Sequence, residues 1–207
     1  ETAAAIGHMP VAAAELVRFR ADAITPAIPP DVTDLGLRGA PNFELLQLVR
    51  PDLILSSPFY THYEDRLRQV APVLSLPFFV PGEPPLPKAL AALTALADAI
   101  GDPAAGARAR AETEATLDSL AARLAPFRDR PVALVNIGDG RHMRVFGFDS
   151  LFGSSLDRLG LRNAWVGDTA FSFLAPVPLE RLADMPDARL VNIGTLPPAA
   201  NRALSRS

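Results

Sequence analysis

The stretch FELLQLVRPDLILSS, residues 43–57, contains the unit from which the fold is read. Asn42 just before it is a good N-cap, and Glu44 and Gln47 fall in the first turns of the helix it would start. Pro51 ends that helix, because the ring removes an amide donor and disfavours helical backbone in the residue before it. DLILSS, residues 52–57, is an apolar run of strand length. YEDRLRQVA (63–71) follows as a helix with Leu67 and Val70 inward, and VLSLPFF (73–79) as a strand. Helix, strand, helix, strand predicts a parallel sheet with crossover helices. The phrase returns in LERLADMPDARLVNIG, residues 179–194, as a helix, a Pro186-Asp187 break and a strand. Any αβ protein repeats this grammar, so the echo alone predicts two similar folding units and no function.

Working outward, VAAAELVRF (11–19) fits a short strand or a helical turn equally well. Pro26, Pro29 and Pro30 predict extended loop over 21–34. PLPKALAALTALADAIGD (85–102) carries Leu86, Leu90, Leu93, Ala97 and Ile100 at helical spacing and closes at Gly101. Asp102 caps the next helix with Pro103 at its first position, and Leu117, Leu120 and Leu124 share a face. Roughly 22 residues of helix span about 33 Å, more than a crossover needs, which predicts a strut between two lobes. VALVNIG (132–138) reads as a strand, HMRVFG (142–147) as a strand or arm, and SLFGSSLDRLGL (150–161) as a helix ending near Gly160. The expected organisation is an N-terminal αβ lobe over 1–84, a helical segment over 85–130 with its long helix near 103–125, and a C-terminal αβ lobe over 131–207.

Composition narrows the function classes. The 207 residues carry a formal charge of −3, which argues against a nucleic-acid or anionic-membrane surface. There is no cysteine, so disulfides, thiolate catalysis and thiolate metal sites are excluded. His8, His62 and His142 are scattered without metal-site spacing. No nucleophile elbow, phosphate loop or dinucleotide fingerprint is present, so an enzyme is poorly supported. No apolar run reaches the length of a membrane span, and no signal peptide is visible. ETAAAIGHMP at the start reads as the middle of a helix followed by a turn, which suggests preceding sequence.

DLGLRGAPNFELLQLVRPDLILSSPFY (34–60) resembles the first-lobe signature of periplasmic iron–siderophore binding proteins. RHMRVFGFDSLFGSSLDRLGLRNAWVGDT (141–169), followed by VPLERLA (177–183), resembles FhuD-like iron(III)–hydroxamate siderophore-binding proteins. The resemblance is long, ungapped within its motifs, and covers nearly the whole chain. It implies an α/β fold of the helical-backbone type: two αβ lobes with parallel sheets, a long bridging helix and a ligand cleft between them. It implies a monomeric substrate-binding protein of an ABC importer, periplasmic, with no cofactor of its own. Its ligand would be an iron(III)–siderophore and its partner an inner-membrane permease. It also implies a strand before ETAAAIG and a strand–helix portion after ALSRS, so the chain reads as trimmed at both ends.

The site residues follow from ligand chemistry and from the resemblance together. In a ferric hydroxamate three bidentate groups already fill the iron, so the protein must recognise partly negative oxygens and bury an organic shell. An Arg fork, hydroxyl donors and aromatic walls suit that task. Arg38 in GLRGAP stands at the position where the resemblance implies the hydroxamate-binding arginine; an ordinary loop arginine would be solvated, or paired with Asp34 or Glu44. Tyr60 follows the strand DLILSS at its carboxyl end, where ligands of open αβ sheets sit. Ser57, Phe59 and Tyr63 are neighbours with weaker claims. The family commonly carries tryptophans at the positions of Asp22 and Ser172; neither is present, and Phe171 and Phe173 flank the second and could supply the wall with Ser172. Trp165, the lone tryptophan, and His142 are expected to pack structurally. The resemblance further implies that Glu44 and Glu180, one per lobe, dock onto permease arginines, although a carboxylate at a helix start is favourable by itself. Rival readings are a binder of a catecholate siderophore, haem or cobalamin, an αβ enzyme or metal-cluster scaffold, and a binding domain fused to a sensor.

Overall fold

A computed structural model of the chain describes residues 1–22, 25, 27–167 and 176–204. They form two compact units, one of residues 1–78 and 89–112, the other of residues 79–88 and 113–207.

The first unit begins with a short helix α1 (Thr2–Ala5), a two-residue strand β1 (Ala12–Ala13) and α2 (Leu16–Asp22). The ambiguous stretch 11–19 is thus both strand and helix, split at Glu15, whose φ of 55° turns the chain between them. β1 pairs in parallel with β2 (Thr33–Asp34). β3 (Gly36–Leu37) and β4 (Ala40–Pro41) close an antiparallel hairpin across Arg38 and Gly39. α3 (Phe43–Val49) starts as expected, with the Leu45 amide donating to Asn42 Oδ1 at 3.0 Å, and ends in left-handed Arg50 before Pro51. β5 (Ile54–Ser56) then pairs in parallel with β6 (Val73–Ser75). Between them run a 3-10 turn (Pro58–Tyr63) and α4 (Glu64–Arg68). The strand expected over 73–79 is only three residues long. Leu35, Leu46 and Leu67 are buried in one cluster, against which Phe43, Ile54, Tyr63, Val70 and Val73 pack.

α5 (Pro85–Ala99) and α6 (Pro103–Leu124) each contribute to both units. Asp102 caps α6 as its sequence implies, accepting from the Ala105 amide at 3.1 Å. Leu93, Leu96 and Ala97 of α5 bury against Ala105 and Ala109 of α6 and against Ile6. Ile100, expected inward, lies at the surface beyond the helix end. No helix among the described residues is long and apolar enough to cross a membrane.

The second unit carries a four-stranded sheet. β7 (Val132–Ile137) runs between β8 (His142–Val145) and β10 (Arg189–Asn192), and β9 (Val177–Pro178) pairs on the far side of β8. β10 and β7 are parallel, while β8 is antiparallel to both β7 and β9, so this sheet is mixed where a parallel one was expected. Four residues separate β7 from β8, too few for the crossover that a parallel pair needs. α7 (Leu151–Arg158) is capped by Ser150, whose hydroxyl oxygen accepts from the Gly153 amide at 2.9 Å. LERLAD forms a 3-10 helix over Leu179–Asp184, and α8 (Pro198–Leu204) follows β10. Trp165 packs on the cluster of Val135, Ile137, Met143 and Val145, the structural role expected of it.

Candidate functional site

The carboxyl ends of β1 and β5 and the β3–β4 hairpin carry the candidate residues of the first unit. Arg38 occupies the two-residue turn of that hairpin, with Gly36 at a φ of 77° just before it. A side chain at residue 36 would be strained in that backbone, so glycine is required there. The Asp34 carboxylate accepts from the Gly36 amide at 2.9 Å and from the Leu16 amide at 3.4 Å. Asp34 is therefore occupied by backbone amides and is not the partner of Arg38, nor is Glu44. The partner is Glu15, whose Oε2 lies 2.9 Å from Arg38 Nη2. This hydrogen bond pushes the Arg38 guanidinium above its ordinary value, so it stays charged. Glu15 is held in turn by its amide, which donates to the Gly36 carbonyl at 2.6 Å.

Arg38, Glu15, Arg18, Phe19, Thr25, Ala14 and Glu1 line an open cavity of about 480 Å³. Its charged lining residues are Glu1, Glu15, Arg18 and Arg38. The Arg38 side chain keeps 56% of its surface exposed, so the N–H groups not used on Glu15 remain available outward.

Tyr60 is not a wall of this cavity but belongs to the aromatic group that Tyr63 ties to the Arg38 backbone. It breaks the geometry of the 3-10 turn at φ −110° and ψ 30°. Its ring stacks on Tyr63 with centroids 5.8 Å apart, and Phe59 meets it edge-on at 5.3 Å. The Tyr63 hydroxyl donates to the Arg38 carbonyl, fixing the hairpin turn to the aromatic group. Burial, with Tyr60 adding to it, pushes the Tyr63 hydroxyl above its ordinary pKa, so it remains a donor through neutral pH. Phe59 is 76% exposed and presents an open apolar face. Ser57, in extended backbone, makes no capping bond with its side chain.

Arg38, Tyr60, Phe59 and Tyr63 thus form one group, with Ser57 at its edge. Phe171, Ser172 and Phe173 lie outside the described residues. Glu44 is exposed in the first turn of α3, and Glu180 is exposed in the first turn of its 3-10 helix in the other unit. Glu15 and Arg18 escaped the sequence reading. Their signal is faint, because a positive φ at a glutamate has no sequence mark and pairs it with a residue 23 positions away. Among the described residues no group of three or more His, Asp or Glu side chains could hold a metal ion.

Residues 1–194 match the family model described as periplasmic binding protein. The chain is 35% identical over 183 residues to the iron(3+)-hydroxamate-binding protein FhuD of Escherichia coli strain K12. That alignment covers 88% of this chain and 62% of the relative, so the chain spans less than two thirds of that protein's length. Among solved structures, the siderophore-binding protein FhuD of Vibrio cholerae, bound to Fe3+–Desferal, superposes with a TM-score of 0.84 at 23% identity, covering 100% of this chain and 78% of that one. The catecholate-siderophore-binding protein VctP of Vibrio cholerae gives 0.65 at 17% identity, covering 91% and 66%. At these identities the two structures establish the shared fold and nothing finer.

Proposed function

The chain belongs to the periplasmic binding protein family, a family of binding proteins and not of enzymes, and from that premise we propose that it binds an iron(III)–hydroxamate siderophore at Arg38 and Tyr60. It would do so in the periplasm and pass the complex to an inner-membrane ABC permease. The observation that carries the reading is the grouping of Arg38 with Tyr60, Tyr63 and Phe59 at the carboxyl end of β5. The 35% identity to an iron(3+)-hydroxamate-binding protein supports the ligand class.

The chemistry fits a ligand that brings its own complete metal shell. Hydroxamate oxygens bound to iron keep partial negative charge and accept hydrogen bonds from the free N–H groups of Arg38 and from the Tyr60 hydroxyl. The exposed faces of Phe59 and of Leu37, 67% exposed beside Arg38, suit the hydrocarbon arms of such a ligand. Ser57 contributes a weaker polar contact, while Phe171, Ser172 and Phe173 lie outside the described residues and remain candidates for ligand contact by their residue types alone. Glu44 and Glu180 serve as docking points for the permease.

Arg38→Ala removes the charged donor and leaves the hairpin backbone in place. Calorimetric titration with a ferric trihydroxamate should show affinity falling about 10- to 100-fold, as expected for loss of a charge-assisted hydrogen bond. The circular dichroism spectrum should not change. Unchanged affinity would show that the ligand binds elsewhere. Binding of haem, cobalamin or a ferric catecholate with no response to any hydroxamate would reassign the ligand class.

A further inference from the structure

We infer that Glu15 sets the charge preference of the Arg38 site, cancelling the attraction that an unpaired Arg38 would hold for a trianionic ferric complex. The inference rests on the proposed function and deepens it.

Glu15 stands between two cations. Its Oε2 is 2.9 Å from Arg38 Nη2 and 4.0 Å from Arg18 Nη1. Its side chain is only 23% exposed, against 56% for Arg38 and 73% for Arg18. A ligand reaching the guanidinium of Arg38 therefore also meets the field of this carboxylate. The charged residues lining the cavity are two glutamates and two arginines. The site offers directed N–H donors with little net positive potential.

The placement of Glu15 is enforced. A φ of 55° is uncommon for a non-glycine residue. It is held here by the Glu15 amide on the Gly36 carbonyl at 2.6 Å and by the Phe19 amide on the Glu15 carbonyl at 2.9 Å. Backbone held in a sparsely populated region by its surroundings is a mark of functional sites. The product of that strain is a carboxylate aimed at the ligand-facing arginine.

Ligand charge follows from stoichiometry. Three hydroxamates, each carrying one negative charge, neutralise Fe3+, and an appended amine makes the complex cationic. Three doubly deprotonated catecholates leave it trianionic. A ligand oxygen bonded to Arg38 comes within about 6 Å of the Glu15 carboxylate, by hydrogen-bond lengths across the guanidinium. At that range, in the dielectric of water, this one carboxylate costs a trianion about tenfold, which offsets the attraction of Arg38, whereas a neutral complex is indifferent to both.

The test titrates the full chain, Glu15→Gln and Glu15→Asp with three probes: a neutral ferric trihydroxamate, a cationic ferric trihydroxamate and a trianionic ferric tris-catecholate. The wild-type chain should bind the first two and gain nothing from the charge of the third. Glu15→Gln should strengthen the third relative to the first about tenfold, and Glu15→Asp, which keeps the charge, should not. The wild-type ratio should hold as salt is raised, a readout that survives if Glu15→Gln fails to fold. Binding of hydroxamates with a ratio unmoved by Glu15→Gln, or with a wild-type ratio that salt shifts about tenfold, would overturn the inference and leave the proposed function standing. A wild-type chain that binds no hydroxamate complex would overturn both.

Discussion

At the scale of single residues, the candidate site depends on two carboxylates, Glu15 and Asp34, that do different jobs around one hairpin. Glu15 pairs with Arg38, whereas Asp34 serves the backbone, gathering the amides of Gly36 and Leu16 at once. Those amide bonds, the Gly36 one first, hold the Asp34 carboxyl below its ordinary value. A depressed folded pKa contributes stability that is present above the unfolded value of about 3.9 and lost as pH falls through the folded value. Asp34→Ala should therefore lower stability at pH 7 by about 1 kcal/mol, the usual cost of a lost cap. The gap between variant and wild type should shrink once pH drops below the ordinary carboxylate range. Urea midpoints at pH 7 and pH 3 check this, and a gap equal at both would show that the amide bonds do not stabilise the chain. The division of labour explains what was readable in the sequence. Arg38 and Tyr60 lie in a long motif that singles them out as candidates, but nothing in it points to the partner of Arg38. Asp34 and Glu44 are nearer in sequence, and only the left-handed turn at Glu15 sends that side chain across to the hairpin.

At the scale of elements, the helices were legible where local signals were complete. α3 has Asn42 and Pro51, and α6 has Asp102 and Pro103, and both begin where those residues place them. The strands were legible in position but not in pairing, because register and direction are set by contacts distant in sequence. β8 runs antiparallel to β9 across more than 30 residues of intervening chain, which no local pattern encodes. The 3-10 geometry of Leu179–Asp184 was likewise hidden in a sequence that looks helical. Helix packing yields a prediction whose sign two opposing effects decide. Gly106 lies inside α6, where alanine would raise helix propensity by up to about 1 kcal/mol. A methyl there would meet the Leu93 carbonyl oxygen at 2.9 Å and the Ala97 Cβ at 2.6 Å. Since a backbone oxygen cannot rotate aside, the clash wins, and Gly106→Ala should destabilise by about 1–2 kcal/mol net, an overpacking cost. A thermal melt above the wild-type midpoint would mean that α5 and α6 separate more easily than their buried contacts imply.

At the scale of the whole molecule, each compact unit has a glutamate in the first turn of a short helix that the family resemblance singles out, Glu44 in the first and Glu180 in the second. Both are exposed. Negative charge in a first helical turn gains a little from the helix dipole, so a purely local role predicts a small loss of stability on substitution and nothing more. Docking predicts a different pattern. Exposed charges at the rim of an interface chiefly set the rate and salt dependence of encounter with a complementary surface. Glu44→Ala and Glu180→Ala should each slow siderophore uptake several-fold in proteoliposomes containing the cognate permease. The double variant should lose more than either, because each unit forfeits its own attraction to a basic residue. Siderophore affinity, read in the same preparations by calorimetry, should stay at the wild-type value, since Glu44 lies outside the Arg38–Tyr60 group and Glu180 belongs to the other unit. The difference between wild type and double variant should also shrink at high salt, as screening removes the attraction both lack. Uptake by the double variant at the wild-type rate would reduce the two glutamates to helix-start residues. Uptake that fell only in proportion to lost siderophore affinity would place the defect at the ligand site and not at the permease.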